Sequence, residues 1–349
     1  MSLPDRVTPL FEPLRLRGVA LKNRVVMSPM LMYMADDDGK VIDLHFVHYG
    51  ARIVGDVGAV MLEVVAVEPR GRIRHRDLGL WEDAQIAGLK RLVDFAHACD
   101  CPIGLQLAHA GRKAVLNAPI GAPSALAYSK ESALPVARGI TEIPRLIAAY
   151  RAAVARAVDA GFDLIEVHAA HGYLLHEFLA PIANSRTDDY GGDLVRRARL
   201  PLEVIEAVRA AWPQDRPLLV RMSATDHLPN AVTPEDALWF AQELRIRGVD
   251  LLDVSAGNIV PGHPAAVYPG YQYKVRRALE ARRGNTRGNH WFGGGRGPAG
   301  GSTRCGAHRS RIRRTCSVAQ PVLADRCCAP GWGQSDVANS YLCSRRRPL

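Results

Sequence analysis

The sequence predicts an α/β fold of the (β/α)₈ TIM-barrel class, and two observations carry this prediction. Short β-branched segments alternate with longer helical stretches through the first 272 residues, which is the order of elements found in parallel sheets. The predicted strands are almost continuously apolar, as expected of strands that are buried on both faces. We place six of them at residues 24–28, 59–63, 103–107, 163–168, 218–222 and 250–255.

Helical patterns fill the intervals between these strands. The Thr233-Pro234-Glu235-Asp236 segment is a typical helix start, with an N-cap, a proline at the first position and acids in the first turn. Gly161 and Gly248 stand where helices end. The helices are expected at residues 83–99, 144–160, 194–212 and 234–247.

A barrel is favoured over an open doubly wound sheet. Such a sheet usually carries a Gly-rich phosphate loop after its first strand, whereas Ser28-Pro29-Met30 follows the first strand here. A barrel of about 250 residues fits within the 349 residues of the chain. Strands one to six are clear, but strands seven and eight are not recognisable in the sequence.

The chain shows no signal for membrane insertion or export. No apolar run approaches the roughly 18 residues of a membrane helix. The N-terminus lacks the basic and apolar regions of a secretory signal. We therefore expect a cytoplasmic protein without a membrane partner.

The positive charge is confined to the last fifth of the chain. The formal net charge is +10, yet residues 274–349 hold 16 basic and three acidic residues, a net of +13, which leaves −3 for the preceding residues. The chain thus divides into a barrel domain, 1–272, and an Arg- and Gly-rich tail, 273–349. The slightly acidic body disfavours a nucleic-acid partner.

The tail matches no folded pattern. Residues 295–300 fit GxGxxG, but they follow no predicted strand and contain Pro298. The five tail cysteines lack the paired CxxC spacing of a zinc site. Fifteen arginines beside one lysine, with scattered cysteines, are expected from a GC-rich gene translated out of frame. We interpret residues 273–349 as out-of-frame and disordered; a natural basic arm is the weaker alternative.

Polar residues stand where the predicted strands end. In β/α barrels the active site lies at the carboxyl ends of the strands. An amide, three imidazoles, a phenol and a guanidinium therefore gather at one rim, contributed by Gln106, His109, His168, His171, Tyr173 and Arg221.

This combination resembles the old yellow enzyme family of FMN-dependent ene-reductases, and in particular its short bacterial NADPH dehydrogenase branch. The resemblance runs from Leu10 to Gln272 and implies the same barrel fold. The matching segments are LKNRVVMSPM (21–30), QLAHAGRK (106–113), FDLIEVHAAHGYLLHEFLAP (162–181), NSRTDDYGG (184–192), LLVRMSA (218–224), GVDLLDVSAG (248–257) and VYPGYQ (267–272).

The resemblance implies FMN as the cofactor. Arg221 matches a guanidinium near the flavin N1/O2 edge, where positive charge favours the reduced anion. Leu31 stands where this branch often has a cysteine. The residues that the resemblance assigns to flavin binding are Ser28, Pro29, Met30, Leu31, Val64, Gln106 and Arg221.

The resemblance also implies the reaction. Hydride would pass from NADPH or NADH, through flavin N5, to an activated alkene such as an enone or a nitroalkene. His168 and His171 match the pair that binds the substrate oxygen, and Tyr173 matches the proton donor. Tyr33 matches a phenol on the substrate side. Members of this branch form homo-oligomers through C-terminal residues, so the assembly of this chain stays open.

Other interpretations of the same residues stay open. His168 and His171 could bind a metal, although no third ligand is obvious. His109 could be a structural rim residue, and Arg221 could pair with an acid such as Glu63 or Asp226. Tyr190 we interpret as structural. At the level of the whole chain, the alternative is a non-functional barrel remnant or a basic-tailed binding protein.

The altered tail leads to a testable prediction. The family holds the FMN phosphate with backbone amides and an arginine after strands seven and eight, a common barrel site, and the tail shows no such segment. We therefore expect the protein to be poorly soluble or to bind FMN weakly. Flavin absorbance of the purified protein measures this, and a stoichiometric yellow holoenzyme would contradict it. Translation of the other two reading frames after codon 272 tests the out-of-frame interpretation.

Overall fold

The computed structural model describes residues 9–262 and a strand at residues 290–293. The strands are β1 (Leu14–Leu16), β2 (Val19–Leu21), β3 (Val26–Met27), β4 (Ala59–Ala66), β5 (Leu78–Gly79), β6 (Ile103–Ala108), β7 (Gly121–Ala122), β8 (Val136–Ala137), β9 (Leu164–Ala169), β10 (Leu218–Ser223), β11 (Leu251–Ser255) and β12 (His290–Gly293). The α-helices are α1 (Asp43–Ile53), α2 (Ile86–Ala98), α3 (Ile143–Ala160), α4 (Leu174–Leu179), α5 (Leu194–Ala211) and α6 (Pro234–Ile246).

A curled parallel sheet forms the centre of the fold. Its strands follow the order β3-β4-β6-β9-β10-β11-β12, and β5 pairs with β4. The six predicted strands correspond to β3, β4, β6, β9, β10 and β11, so the barrel class is confirmed; the first five of these strands are each followed by a described helix, and the residues after β11 that would form the sixth helix lie outside the described residues. Helices pack on the outer face of this sheet, where side chains such as Leu105, Val154 and Ile205 form the main core.

One strand was not anticipated from the sequence. β12 pairs in parallel with β11, with His290 opposite Leu251 and Gly293 opposite Val254. It occupies the position of a seventh barrel strand. It lies within residues 273–349, in which the sequence showed no strand pattern. Four residues flanked by glycine and arginine give too short a hydrophobic signal to be detected by periodicity. Apart from this strand, the predicted tail and its disorder lie outside the described residues.

The helix boundaries agree with the capping signals. Thr233 Oγ1 accepts a hydrogen bond from the Asp236 amide at 3.1 Å, and the Asp236 carboxylate accepts one from the Thr233 amide. Gly161 ends α3 in the left-handed conformation, with φ of +90°. α1 and α4 were not predicted. Within residues 9–262, no helix is long and apolar enough to cross a membrane.

The β1–β2 hairpin closes the amino-terminal end of the barrel. Its side chains Leu14, Leu16 and Leu21 pack against the first inward residues of the strands, among them Met61 and Leu219. At the hairpin turn Arg17 donates from Nε to both carboxylate oxygens of Asp250, each at 2.7 Å. The hairpin thereby excludes water from the barrel below the site.

We expect the β1–β2 hairpin, which acts as a plug at the amino-terminal end of the barrel, to contribute strongly to stability. Leu21 is 1% exposed, so Leu21→Ala should lower the free energy of unfolding by about 3 kcal/mol through lost burial and a residual cavity. Val47 on α1 is 68% exposed and provides the matched control, with Val47→Ala changing stability by less than about 0.5 kcal/mol. Urea denaturation measures the free energy of unfolding of both variants. Equal losses would contradict the stabilising role of the hairpin plug.

Candidate active site

The loop between β9 and α4 places three predicted side chains side by side. The His168 and His171 rings lie 5.1 Å apart, and the His168 and Tyr173 rings lie 4.9 Å apart, both pairs edge to face. His171 adopts a left-handed φ of +58°, and its amide donates to Ser223 Oγ at 3.0 Å. Gly172 follows with φ of +72°, and a Cβ there would lie 2.5 Å from the Asn258 carbonyl oxygen.

Both histidines are neutral at physiological pH. Burial, followed by the Arg221 charge, lowers the pKa of His168 and of His171 well below the ordinary value. His168 Nδ1 accepts the Ala170 amide at 3.1 Å, which leaves the proton on Nε2. His171 Nε2 is hydrogen-bonded to Ser255 Oγ at 2.5 Å. His168 is therefore a neutral imidazole with a fixed tautomer, and its Nε2–H is a hydrogen-bond donor for a ligand.

Tyr173 keeps its proton in this environment. Burial raises its pKa, and the neighbouring Tyr33 phenol adds to this. The Lys113 ammonium lies over the Tyr173 ring at 4.9 Å and over the Tyr128 ring at 4.8 Å, and it donates to the His171 carbonyl at 2.9 Å. Burial lowers the pKa of Lys113 to about 8. A protonated phenol and an ammonium therefore lie beside the two imidazoles.

A buried polar group lies where the resemblance places the flavin pyrimidine. Gln106 donates from Nε2 to Glu166 Oε1 at 2.5 Å, and burial raises the pKa of Glu166, with Asp253 adding to this. Arg221 is 8% exposed, and its Nε lies 3.3 Å from Asp253 Oδ2 but makes no hydrogen bond within the described residues. A buried guanidinium that is ion-paired with Asp253 but makes no hydrogen bond through Nε fits the N1/O2 edge of FMN, which accepts hydrogen bonds.

The remaining predicted residues line the neighbouring rim. Ser28, Pro29, Met30 and Leu31 form the half-buried loop that follows β3. Val64 on β4 packs in one small apolar cluster, together with Leu31, Tyr33 and Tyr173. The structure thus brings the predicted flavin loop and the two substrate-side phenols to the same end of the sheet.

Several alternative interpretations now have structural answers. His109 is buried and hydrogen-bonded to Glu68 and Arg138, at 2.7 and 2.6 Å, which supports its structural role. Arg221 does pair with an acid, but the acid is Asp253 rather than Glu63 or Asp226, because the parallel register places Asp253 directly opposite. The Tyr190 hydroxyl donates to Glu203. No group of three potential metal ligands occurs within the described residues.

Sequence reasoning missed the buried Lys113 and Glu166, and it considered Glu63 only as a possible partner of Arg221. Lys113 lay in the quoted QLAHAGRK segment, but its burial between two tyrosines depends on the fold. Glu166 occupies the middle of β9, and Glu63 lies near the end of β4. A charged residue inside an otherwise apolar strand is the signal that could have identified both glutamates.

Known proteins share this architecture. A model of the NADH:flavin oxidoreductase / NADH oxidase family matches residues 9–284. The NADPH dehydrogenase of Bacillus cytotoxicus is 47% identical over 274 residues, which cover 78% of each chain. Morphinone reductase is similar in structure, with a TM-score of 0.69 and 30% identity over 91% of this chain and 85% of its own. An old yellow enzyme homologue from Zymomonas mobilis reaches 0.67 and 27% identity, covering 77% and 79%.

The family match spans the strands and loops that carry the candidate site, from β3 to β11. It agrees with the buried donors that fit a flavin and with the resemblance found in the motifs. The chain therefore belongs to the NADH:flavin oxidoreductase / NADH oxidase family, and it is an FMN-dependent oxidoreductase that takes its electrons from a reduced nicotinamide.

Proposed function

We propose that the protein reduces activated alkenes whose double bond is conjugated to a carbonyl or nitro group. The observation that supports this proposal is the cluster of His168, His171 and Tyr173, in which two neutral imidazoles stand next to a protonated phenol. Reduction of such an alkene needs hydrogen bonds to the oxygen and a proton for the α-carbon. This cluster supplies both kinds of group.

The two histidines act as hydrogen-bond donors to the substrate oxygen. The Nε2–H of His168 is left unused by the Ala170 amide, which bonds to Nδ1. Negative charge grows on the substrate oxygen as the alkene is reduced, and preorganised donors in a buried site stabilise it. Because the imidazoles are neutral, they donate without losing a proton to the oxygen.

Tyr173 supplies the proton. Its ring stacks edge to face on His168 at 4.9 Å, so the phenol lies next to the oxygen-binding imidazole. A phenol with a raised pKa protonates only a strongly basic partner, and the α-carbanion of an enone is such a partner. Lys113 over the same ring compensates charge that develops on the phenol oxygen.

FMN supplies the hydride transfer between the nicotinamide and the alkene when it is bound. Gln106 and Arg221 would hold its pyrimidine edge, and the Ser28–Leu31 loop and Val64 would border its ring. We propose the same residues as the cofactor-binding set. The family's phosphate-binding segments follow strands seven and eight, a part of the chain that lies outside the described residues.

Tyr173→Phe tests the proton donor. It keeps the ring and removes the acid, so alkene-dependent reoxidation of the flavin should slow by about 10²-fold or more. Reduction of the flavin by NADPH should change little. Anaerobic stopped-flow absorbance measures the two half-reactions separately. Tyr190→Phe removes a remote phenol and serves as the control, and equal reoxidation rates in both variants would refute the assignment.

His168→Ala tests the oxygen-binding role. Loss of one hydrogen bond to a buried oxygen costs about 1–3 kcal/mol, so the dissociation constant of a cyclic enone should rise about 5- to 150-fold. Flavin difference spectra of the oxidised enzyme, without nicotinamide, measure this binding. His97→Ala removes a half-exposed imidazole outside the site, which contacts Asp163, and should leave the constant unchanged. An unchanged constant in His168→Ala would exclude the proposed role.

A further inference from the structure

Glu63 lies at an irregular point of β4. The register between β4 and β6 shifts between Met61 and Val64, and such a shift re-aims a side chain that would otherwise follow the strand. Met61 packs inward against the hairpin plug. The Glu63 carboxyl group instead contacts α1 and the loop between β3 and α1, and it is fully buried.

The carboxyl group of Glu63 holds that loop. Its Oε2 accepts the Met32 amide at 2.8 Å, and its Oε1 accepts the Tyr49 hydroxyl at 3.1 Å. The Tyr49 hydroxyl in turn accepts the Glu63 amide at 2.9 Å. His45 Nε2 lies 3.7 Å from Oε1 and has no hydrogen-bond partner within the described residues. One buried acceptor thus connects β4, α1 and the loop.

The loop needs such an anchor because Tyr33 is strained. Tyr33 has a φ of +55°, in the left-handed region that side chains other than glycine rarely adopt. Glu63 Oε2 accepts the amide of Met32, the residue directly before Tyr33, at 2.8 Å, so it fixes the backbone at the point where the chain enters the left-handed conformation. The Tyr33 side chain then packs in the apolar cluster that contains Val64 and Tyr173.

We propose that Glu63 is a positioning residue that holds Tyr33 in its left-handed conformation and thereby sets the affinity of the site for its alkene substrate. This inference rests on the proposed function, since it takes Tyr33 as a substrate-side phenol. Glu63 does not contact the substrate. The effect of Glu63 on substrate affinity passes through the backbone of Tyr33, so it should disappear in a variant that lacks the Tyr33 side chain.

A double-mutant cycle between Glu63→Gln and Tyr33→Gly tests the proposal. The glutamine side chain keeps the volume but leaves a single acceptor oxygen, so the Met32 amide and the Tyr49 hydroxyl can no longer both donate to it. Glycine removes the phenol and adopts a φ of +55° without strain. We expect each single variant to raise the dissociation constant of a cyclic enone about tenfold on the oxidised holoenzyme. The double variant should be no weaker than Tyr33→Gly alone.

Asp163→Asn is the matched control. Asp163 also accepts a backbone amide, that of Ile103 at 2.9 Å, but at the amino-terminal end of β6. The substitution should lower the urea midpoint and leave the enone dissociation constant within about twofold. If Glu63 only stabilises the fold, Glu63→Gln should, like Asp163→Asn, lower the urea midpoint and leave the enone dissociation constant within about twofold.

The possible outcomes distinguish the role of the Tyr33 side chain in substrate binding from the positioning role of Glu63. If Tyr33→Gly leaves enone binding unchanged, the assignment of Tyr33 under the proposed function fails. If Tyr33→Gly weakens binding but Glu63→Gln weakens it by the same factor in both backgrounds, the positioning role of Glu63 fails. Should Glu63→Gln not fold, Tyr49→Phe removes the hydroxyl that donates to the carboxyl group and accepts the Glu63 amide, but it keeps the Met32 contact. It should give a two- to threefold loss of enone affinity that also vanishes in the Tyr33→Gly background.

Discussion

The register of the parallel strands is the constraint on which the candidate site depends. Arg221 on β10 lies opposite His168 on β9 and Asp253 on β11, and Gln106 on β6 lies opposite Glu166. Since side chains alternate along a strand, one residue in two faces the barrel interior. A shift by a single position would turn each of these groups into the helix-packed core.

This register arranges the barrel interior in layers. Leu164, Glu166 and His168 succeed one another at every second position of β9. The first packs against the hairpin plug, and the second belongs to the buried polar group around Gln106. The third stands at the rim, against Tyr173. An apolar base thus excludes water from the polar layer, and this strengthens each electrostatic interaction above it.

Burial also determines the protonation state of the side chains in the candidate site. It lowers the pKa of His168 and raises the pKa of Tyr173, so both groups are uncharged in the site. The proposed chemistry therefore relies on hydrogen-bond donation by neutral imidazoles and on a phenol that still carries the proton it would transfer. Two residues of the site loops, Tyr33 and His171, adopt left-handed conformations, with φ of +55° and +58°. The buried Ser223 hydroxyl accepts the His171 amide, and the buried Glu63 carboxyl group accepts the amide of Met32, the residue before Tyr33.

The sequence by itself determined the fold class, six strands and most helices. Buried strands and capped helices leave local signals, and the Thr233 cap and the apolar run of β9 are examples. Long ordered motifs also indicated the family and placed His168 and Tyr173 close together, at the end of one strand and in the loop that follows it. The four-residue strand β12 escaped because it is defined by its pairing with β11 rather than by a pattern of its own.

Only the tertiary structure decided how these residues meet. The partner of Arg221 is Asp253, 32 positions later in the chain, because two parallel strands stand in register. The ammonium of Lys113 lies between Tyr128 and Tyr173, and the Glu63 carboxyl group reaches the Met32 amide. Such contacts join residues that are distant in sequence, and no local pattern encodes them. The residue types of the site were set by the sequence, and their partners and protonation by the fold.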